Sequence, residues 1–168
     1  TVTAVASTPD KLAAAKLCGA SRLIEHRGAD LRAVLKEQLP AGSDVVIDPV
    51  GGALSEPALR SLRRDGRFVV VGFASGEIPR IPLNLVLLKG IEILGFEFRG
   101  WVVAKADEAA RNDAELLAML ADGKVAPYVG ARFAFDEVVA AVRHVADGKA
   151  IGKVLLAPVL RALGRHGS

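Results

Sequence analysis

Residues 1–20 read TVTAVASTPDKLAAAKLCGA, and this stretch decides the fold class. The small and β-branched residues from Val2 to Ser7 predict a largely buried strand. Thr8 is a good N-cap, Pro9 suits the first position of a helix, and Gly19 suits its end. A strand that leads directly into a helix is the repeating unit of an α/β fold.

The same alternation of strand and helix continues to about residue 98. Further strands are predicted at Arg22–Glu25, Asp44–Asp48, Arg67–Phe73 and Ile91–Phe98, and helices at Asp30–Gln38, Leu54–Arg64 and Asn84–Lys89. Gly66 is expected to end the helix at Leu54–Arg64. This order predicts crossover units on a parallel sheet, and the apolar strands suit a sheet that is covered on both faces.

The pattern changes after Trp101, where a long helix is predicted at Lys105–Ala121. A strand at Tyr128–Phe135, a helix that Asp136 caps and a last strand at Ile151–Ala157 follow. We expect a dinucleotide-binding domain at residues 1–125, a separate C-terminal segment at residues 126–158 and a mobile tail at residues 159–168.

Composition narrows the class of function. The 168 residues are 51% hydrophobic and carry a net charge of +3, with scattered basic residues and few aromatic ones, which disfavours nucleic-acid binding. No apolar run approaches the ~20 residues of a membrane span, so we expect a cytoplasmic protein with no membrane partner. The single cysteine, Cys18, excludes an internal disulfide and is expected to be a small buried helical residue.

Ser7 and Lys11 form the first candidate site. The end of the second strand of a dinucleotide-binding fold meets the adenosine ribose, where NAD-dependent proteins place an acidic residue. Ser7 is neutral here, and Lys11 lies in the first turn of a helix, where the dipole disfavours a cation by up to ~1 kcal/mol. A ribose 2′-phosphate, as in NADPH, would reverse that preference. The alternative is an ordinary surface lysine.

Three further segments end strands of the predicted sheet. His26 and Arg27 can face a phosphate or adenine, or form a solvated loop pair. The DPVGG turn, Asp48–Gly52, allows close approach of the backbone to a ligand, although Asp48 could simply cap the next helix. The loop Val71–Pro79 offers backbone amides and carbonyls to a nicotinamide, or is an ordinary connection.

The order and spacing of these segments resemble one known family. The runs STPDKLAAAKLCGA, LIEHRGADL, DVVIDPVGG, GRFVVVGFASGEIP and GKVLL resemble the zinc-independent quinone oxidoreductases of the medium-chain dehydrogenase/reductase superfamily, from Thr1 to about Pro158. The resemblance implies a doubly wound parallel α/β sheet of the Rossmann type. It also implies the cofactor-binding portion of an NADPH-dependent enzyme that transfers hydride to a quinone or an activated alkene.

The resemblance implies roles for individual residues. Ser7, Lys11 and His26 would contact the 2′-phosphate, although the run Glu25-His26-Arg27-Gly28 departs from the N-[YH]-R-E pattern of the family at its first and last positions. The nicotinamide half would be lined by Gly52, Val71, Gly72, Phe73, Ala74, Phe96, Glu97 and Phe98, with Lys153 as a weaker match. No catalytic side chain and no metal ligand are predicted, since hydride transfer from the cofactor needs no protein nucleophile.

The resemblance also implies parts that the sequence does not contain. In the family, a substrate-side domain and a first Rossmann strand with a glycine-rich turn precede this region, and that strand is central in the order 3-2-1-4-5-6. We therefore expect a sheet without its first, central strand, a C-terminal helix and strand that return to the substrate-side domain, and an isolated chain that is inactive. A homodimer through the edge strand Ile91–Phe98 is also expected.

Two other functions stay open. A non-catalytic nucleotide-binding or dimerisation module would keep the interface and lose the chemistry, and the apolar edge strand IEILGFEF supports it. A methyltransferase is disfavoured, since these proteins usually place an acidic residue where Ser7 stands.

Overall fold

The computed structural model describes residues 1–158, and these form two compact units. One unit joins residues 1–27 to residues 122–158, and the other comprises residues 28–121. The domain boundary at residue 125 stays a prediction, and the tail at residues 159–168 lies outside the described residues.

The first unit opens with the predicted strand, turn and helix. Strand β1 (Thr3–Ala6) leads into helix α1 (Pro9–Leu17), and strand β2 (Arg22–Glu25) pairs with β1 in parallel. The hydroxyl of Thr8 accepts a hydrogen bond from the N–H of Lys11 at 3.4 Å, which confirms Thr8 as the N-cap. Cys18 is exposed, so its predicted burial is wrong; it follows α1 at the C-cap position.

The rest of this unit is a second parallel pair. Strand β6 (Val129–Ala134) is followed by helix α7 (Val138–Ala146) and strand β7 (Lys153–Ala157), which pairs with β6. The carboxylate of Glu137 accepts a hydrogen bond from the N–H of Ala134 at 2.8 Å, which closes the turn between β6 and α7.

The second unit holds a three-stranded parallel sheet in the order β3–β4–β5. Its strands are β3 (Ser43–Asp48), β4 (Leu62–Val70) and β5 (Glu92–Gly95). Its helices are α2 (Leu31–Gln38), α3 (Ser55–Arg60), α4 (Asn84–Lys89), α5 (Phe98–Ala104) and α6 (Ala106–Ala121). The alternation that the sequence predicts is confirmed, and with it the α/β class.

Apolar residues of α3, α4 and β4, with the residue that precedes β5, form the core of the second unit. Its buried members are Leu59, Leu62, Phe68, Leu85 and Ile91. Val46 packs against this core, whereas Val45 and Ile47 on the other face of β3 are 50% and 68% exposed. The expectation of a sheet covered on both faces is therefore wrong for β3 in the described residues, because one face of this strand stays exposed.

Helix α3 is shorter than predicted. It ends at Arg60 rather than Arg64, and β4 begins at Leu62, before the glycine that was expected to end the helix. The chain bulges instead: the pairing of β3 with β4 shifts register between Ser43 and Val45, and Asp65 adopts a positive φ of 62°. The N–H of Asp65 donates to the carbonyl of Gly90 at 2.8 Å, which holds this irregular segment in place.

Strand β5 is also shorter than predicted, and a helix follows it directly. The sequence predicts a strand as far as Phe98, but β5 ends at Gly95 and α5 begins at Phe98. The carboxylate of Glu97 accepts hydrogen bonds from the N–H groups of Arg99 at 3.0 Å and Gly100 at 2.5 Å. Glu97 therefore caps α5, a helix that the sequence analysis missed.

Strands β1 and β3 belong to separate sheets within the described part of the chain. β1 pairs with β2, and β3 pairs with β4, with no ladder between β1 and β3. None of the described helices has the length and apolar character needed to span a membrane.

Candidate cofactor site

Asp48 organises the turn that follows β3. This side chain is 7% exposed. Its Oδ1 accepts hydrogen bonds from the N–H groups of Val50 at 2.9 Å and Gly51 at 3.0 Å, and its Oδ2 accepts one from the buried hydroxyl of Ser55 at 2.6 Å. Asp48 therefore holds the turn itself and does not cap the next helix, since neither the helical turn at Gly52–Leu54 nor α3 has a side-chain cap. Ser55, at the start of α3, is a partner that the sequence analysis missed.

The turn after β3 is joined to the loop after β4 by backbone hydrogen bonds. The N–H groups of Ala74 and Ser75 donate to the carbonyls of Pro49 at 3.0 Å and Val50 at 2.9 Å. In return, the N–H of Gly52 donates to the carbonyl of Glu77 at 3.0 Å. The two loops therefore form one connected surface at the carboxyl end of the sheet.

Glycine is required where these loops meet. Gly51 has a φ of 73°, and a Cβ atom there would lie 2.8 Å from Cδ1 of Phe73 and 2.9 Å from the carbonyl oxygen of Glu77. At Gly52, with a φ of 62°, a Cβ atom would lie 2.9 Å from Oγ of Ser75. These glycines serve the contact between the loops, and that contact fixes the position of Val71–Ala74.

The segment Val71–Ala74 presents backbone groups at the carboxyl end of β4. The N–H groups of Gly72 and Phe73 donate to no described residue, and the segment is exposed or half-buried. Backbone groups of this kind, beyond the carboxyl ends of parallel strands, suit the polar groups of a dinucleotide. The residues present therefore fit a nicotinamide cofactor at this edge.

Phe96, Glu97 and Phe98 lie at the same edge, after β5. The N–H of Phe96 donates to the carbonyl of Val70 at 3.0 Å, which continues the ladder beyond the strand. The rings of Phe96, Phe98 and Trp101 form a cluster with centroids 5.9 to 6.3 Å apart. The carboxylate of Glu97 is occupied by the cap of α5, so the aromatic rings provide the accessible apolar surface here.

The predicted phosphate residues lie in the first unit. Ser7 and His26 follow the neighbouring strands β1 and β2, and the N–H of His26 donates to the carbonyl of Ala6 at 3.0 Å. Lys11 lies in the first turn of α1, and its Nζ donates to the carbonyl of Gly148 at 2.9 Å. This contact, which the sequence analysis did not foresee, uses one of the three donors of the ammonium group.

Lys153 belongs to the other parallel pair of the same unit, β6–β7. It is the first residue of β7, its side chain is exposed, and its N–H donates to the carbonyl of Tyr128 at 2.7 Å. No described hydrogen bond joins Lys153 to Ser7, Lys11 or His26. Residues 1–158 contain no cluster of three or more His, Cys, Asp or Glu side chains that could hold a metal ion.

The predicted site residues therefore fall into two sets. Ser7, Lys11 and His26 follow the parallel pair β1–β2, and Gly52, Val71–Ala74 and Phe96–Phe98 follow the parallel sheet β3–β4–β5. Both sets follow the carboxyl ends of parallel strands, where ligands of open α/β sheets bind.

Comparison with known proteins agrees with this architecture. The model of a family described as zinc-binding dehydrogenase matches residues 1–119. A quinone oxidoreductase-like protein 2 from Bos taurus is 38% identical over 156 residues, which cover 92% of this chain and 45% of the relative. The chain therefore spans about half the length of this relative.

Solved structures share the fold. A quinone oxidoreductase from Pseudomonas syringae superposes with a TM-score of 0.75 at 23% identity, covering 92% of this chain and 48% of that one. A protein named CurA from Vibrio vulnificus, solved in complex with NADPH, superposes with a TM-score of 0.75 at 22% identity over 93% of this chain and 49% of that one.

The chain belongs to the zinc-binding dehydrogenase family, and its relatives identify it with the C-terminal, cofactor-binding portion of medium-chain dehydrogenases/reductases. The family resemblance stated from the sequence is confirmed. The independence of zinc that the sequence analysis attached to it is not established by these comparisons and stays a prediction.

Proposed function

We propose that this chain is the cofactor-binding portion of an NADPH-dependent oxidoreductase that transfers hydride to a quinone or an activated alkene without zinc. The observation that carries the proposal is the pair of joined loops after β3 and β4, which holds the free N–H groups of Gly72 and Phe73 at the carboxyl end of the sheet. The similarity to a quinone oxidoreductase-like relative supports the reaction class.

The nicotinamide half of the cofactor would bind at this surface. Gly72 and Phe73 would donate to its polar groups, and Gly52 would keep the neighbouring turn close to Val71 and Ala74. The rings of Phe96 and Phe98 would pack beside the nicotinamide and exclude water. When bound, NADPH supplies the hydride, so the protein contributes orientation and a dry surface.

The phosphate half would bind at the first unit. Lys11 would attract a 2′-phosphate through its charge, while Ser7 offers a hydroxyl where an acidic residue would repel it. His26 would add a donor from the neighbouring strand end, and Lys153 is a weaker candidate for a further contact. This set predicts a preference for NADPH over NADH.

Replacement of Lys11 tests the proposal. In the whole protein, Lys11→Ala should weaken NADPH binding about tenfold or more and leave NADH binding nearly unchanged, because a hydrogen bond to a charged group contributes about 1.5–3 kcal/mol. Titration of each cofactor by its fluorescence would measure both dissociation constants.

The control for this experiment lies on the same helix. Lys16→Ala removes an exposed lysine from the last turn of α1 and should leave both dissociation constants unchanged. Thermal melting of the variants would show whether loss of the Lys11 contact with Gly148 unfolds the region. An unchanged ratio of the two cofactor affinities in folded Lys11→Ala would contradict the assignment.

A second candidate function is a non-catalytic nucleotide-binding or dimerisation module. The exposed apolar residues Ile93 and Leu94 of β5 favour it, since an open strand edge is a surface for pairing with another chain. NADPH binding by the whole protein with no reduction of quinones, enones or enals would support this module over the enzyme. A cytoplasmic location belongs to either proposal, and imaging of a fluorescent fusion would test it.

A further inference from the structure

A groove in the second unit carries a concentration of positive charge. It lies between α2 and α3 at the end of the sheet where β3 begins, and it encloses about 520 Å³. Its cationic lining residues are Arg32, Lys36, Arg60, Arg63 and Lys89, and no aspartate or glutamate of residues 1–158 lines it. The residues proposed for the nicotinamide half of the cofactor, Gly52, Val71–Ala74 and Phe96–Phe98, lie at the opposite, carboxyl end of the same strands.

Two of the five cationic side chains form ion pairs with carboxylates of residues 1–158, and three do not. Arg60 pairs with Glu56 at 2.7 Å, and Arg63 pairs with Asp44 at 2.5 Å. Among the described residues, the side chains of Arg32, Lys36 and Lys89 make no hydrogen bond and no ion pair. These three cations therefore face the groove without a partner in residues 1–158.

Arg32 is placed where a helix disfavours a cation. It is the second residue of α2, beside the positive end of the helix dipole, where the carboxylate of Asp30 is already hydrogen-bonded to backbone N–H groups. Lys36 lies four residues later on the same face, and like charges at that spacing repel each other and destabilise a helix. An anion that bridges Arg32 and Lys36 would relieve both the unfavourable interaction of Arg32 with the helix dipole and the repulsion between the two cations.

The shape and lining of the groove favour a peptide over other anions. Arg32 and Lys36 are about 6 Å apart along the helix axis, and alternate side chains of an extended peptide repeat at about 6.6 Å. The floor is formed by leucine and proline side chains, and no aromatic residue lines the groove. Single-stranded nucleic acid usually binds on aromatic side chains, so this surface does not suit it.

We propose that the groove between α2 and α3 is a docking surface for an extended acidic segment of a partner protein. Carboxylates at alternate positions of that segment pair with Arg32 and Lys36, and Lys89 contacts a further one across the groove. This surface is separate from the proposed cofactor site, so the proposal does not depend on the oxidoreductase assignment.

Fluorescence anisotropy with a labelled peptide tests the proposal. The probe is a ten-residue peptide with glutamate at alternate positions and serine between them, added to the full chain at low salt. We expect saturable binding that weakens as salt is added, and no binding of the same peptide with glutamine in place of glutamate.

Two double variants test whether binding depends on the groove or only on the net charge of the protein. Arg32→Gln with Lys36→Gln should weaken binding at least tenfold. Lys16→Gln with Arg111→Gln, which removes the same charge from exposed positions on α1 and α6, should change it less than twofold. Circular dichroism would confirm that both double variants are folded.

Three results would overturn the proposal. They are no binding of the glutamate peptide, an equal loss of affinity in both double variants, and tighter binding of a single-stranded oligonucleotide of the same net charge that also depends on Arg32 and Lys36. Each is measured in the same titration.

Discussion

Asp48 accepts three hydrogen bonds in the turn after β3, from two backbone N–H groups and the hydroxyl of Ser55. Asp48→Asn should lower the free energy of unfolding by about 2–3 kcal/mol, because the amide loses the charge and one acceptor while the donors stay buried. Asp44→Asn is the matched control, since Asp44 is an exposed carboxylate with one ion pair and should cost at most about 1 kcal/mol. Urea denaturation measures both, and equal losses would contradict the role of Asp48 in holding the turn.

Gly51 and Gly76 differ in how strongly the structure requires glycine. Both have a positive φ, 73° and 80°, but a Cβ atom meets Phe73 and Glu77 at Gly51 and nothing within 4 Å at Gly76. Gly76→Ala should cost about 1–2 kcal/mol for the positive φ alone. Gly51→Ala should cost about 1–3 kcal/mol more, since Gly51, with a ψ of −158°, lies in a region that is essentially restricted to glycine and a Cβ atom also forces the two loops apart. Thermal denaturation of the two variants tests the difference, and equal costs would contradict the requirement for glycine at Gly51.

The sequence predicted the residues of the turn after β3 better than it predicted the groups that they contact. The two glycines of DPVGG and the acid before them are a local signal, so a tight turn at the end of a strand could be expected there. The hydroxyl of Ser55, the carbonyl of Gly148 and the carbonyl of Glu77 are contacts that depend on tertiary packing. The spacing of residues along the sequence does not show which groups come into contact through tertiary packing.

At the scale of elements, the sequence predicted every described strand but missed helix α5, and it predicted the boundaries less well than the strands themselves. Strand β2 matches its prediction residue for residue because turn-forming residues flank it. Strands β4 and β5 were misplaced by several residues, since the apolar run of each continues past the last ladder pair into Val71–Phe73 and Phe96–Phe98. An apolar run of this length does not distinguish a strand from the segment that follows it.

The outer edge of β5 carries a prediction of its own. The N–H of Phe96 donates a hydrogen bond to β4. Backbone N–H groups point alternately to the two sides of a strand, so the N–H of Leu94 also points towards β4, while the N–H of Ile93 points towards the open edge. If the protein dimerises through this edge, Ile93→Pro should shift it towards monomer without breaking the β4 ladder. Ile93→Ala keeps the N–H and should stay dimeric. Sedimentation velocity would show the two populations, and identical behaviour of both variants would count against an edge-to-edge dimer.

At the scale of the whole molecule, the sequence predicted that the strands at Val5 and Val45 would not pair, because the resemblance to the family implied another strand between them. In the described residues these two strands form no ladder with each other. The sequence could not predict the division into units, because the grouping of residues 1–27 with residues 122–158 depends on contacts far apart in the chain.

The isolated chain of 168 residues should not oxidise NADPH above background with any quinone. The described residues supply the surfaces proposed for the nicotinamide and the 2′-phosphate, but in the family a glycine-rich turn at a helix N-terminus binds the pyrophosphate between them. Without that turn, cofactor affinity should fall well below that of the whole protein. Loss of NADPH absorbance in the presence of a quinone, measured at equal concentrations of the isolated chain and the whole protein, tests this prediction. Turnover by the isolated chain at a rate comparable to that of the whole protein would show that these residues alone bind and orient the cofactor.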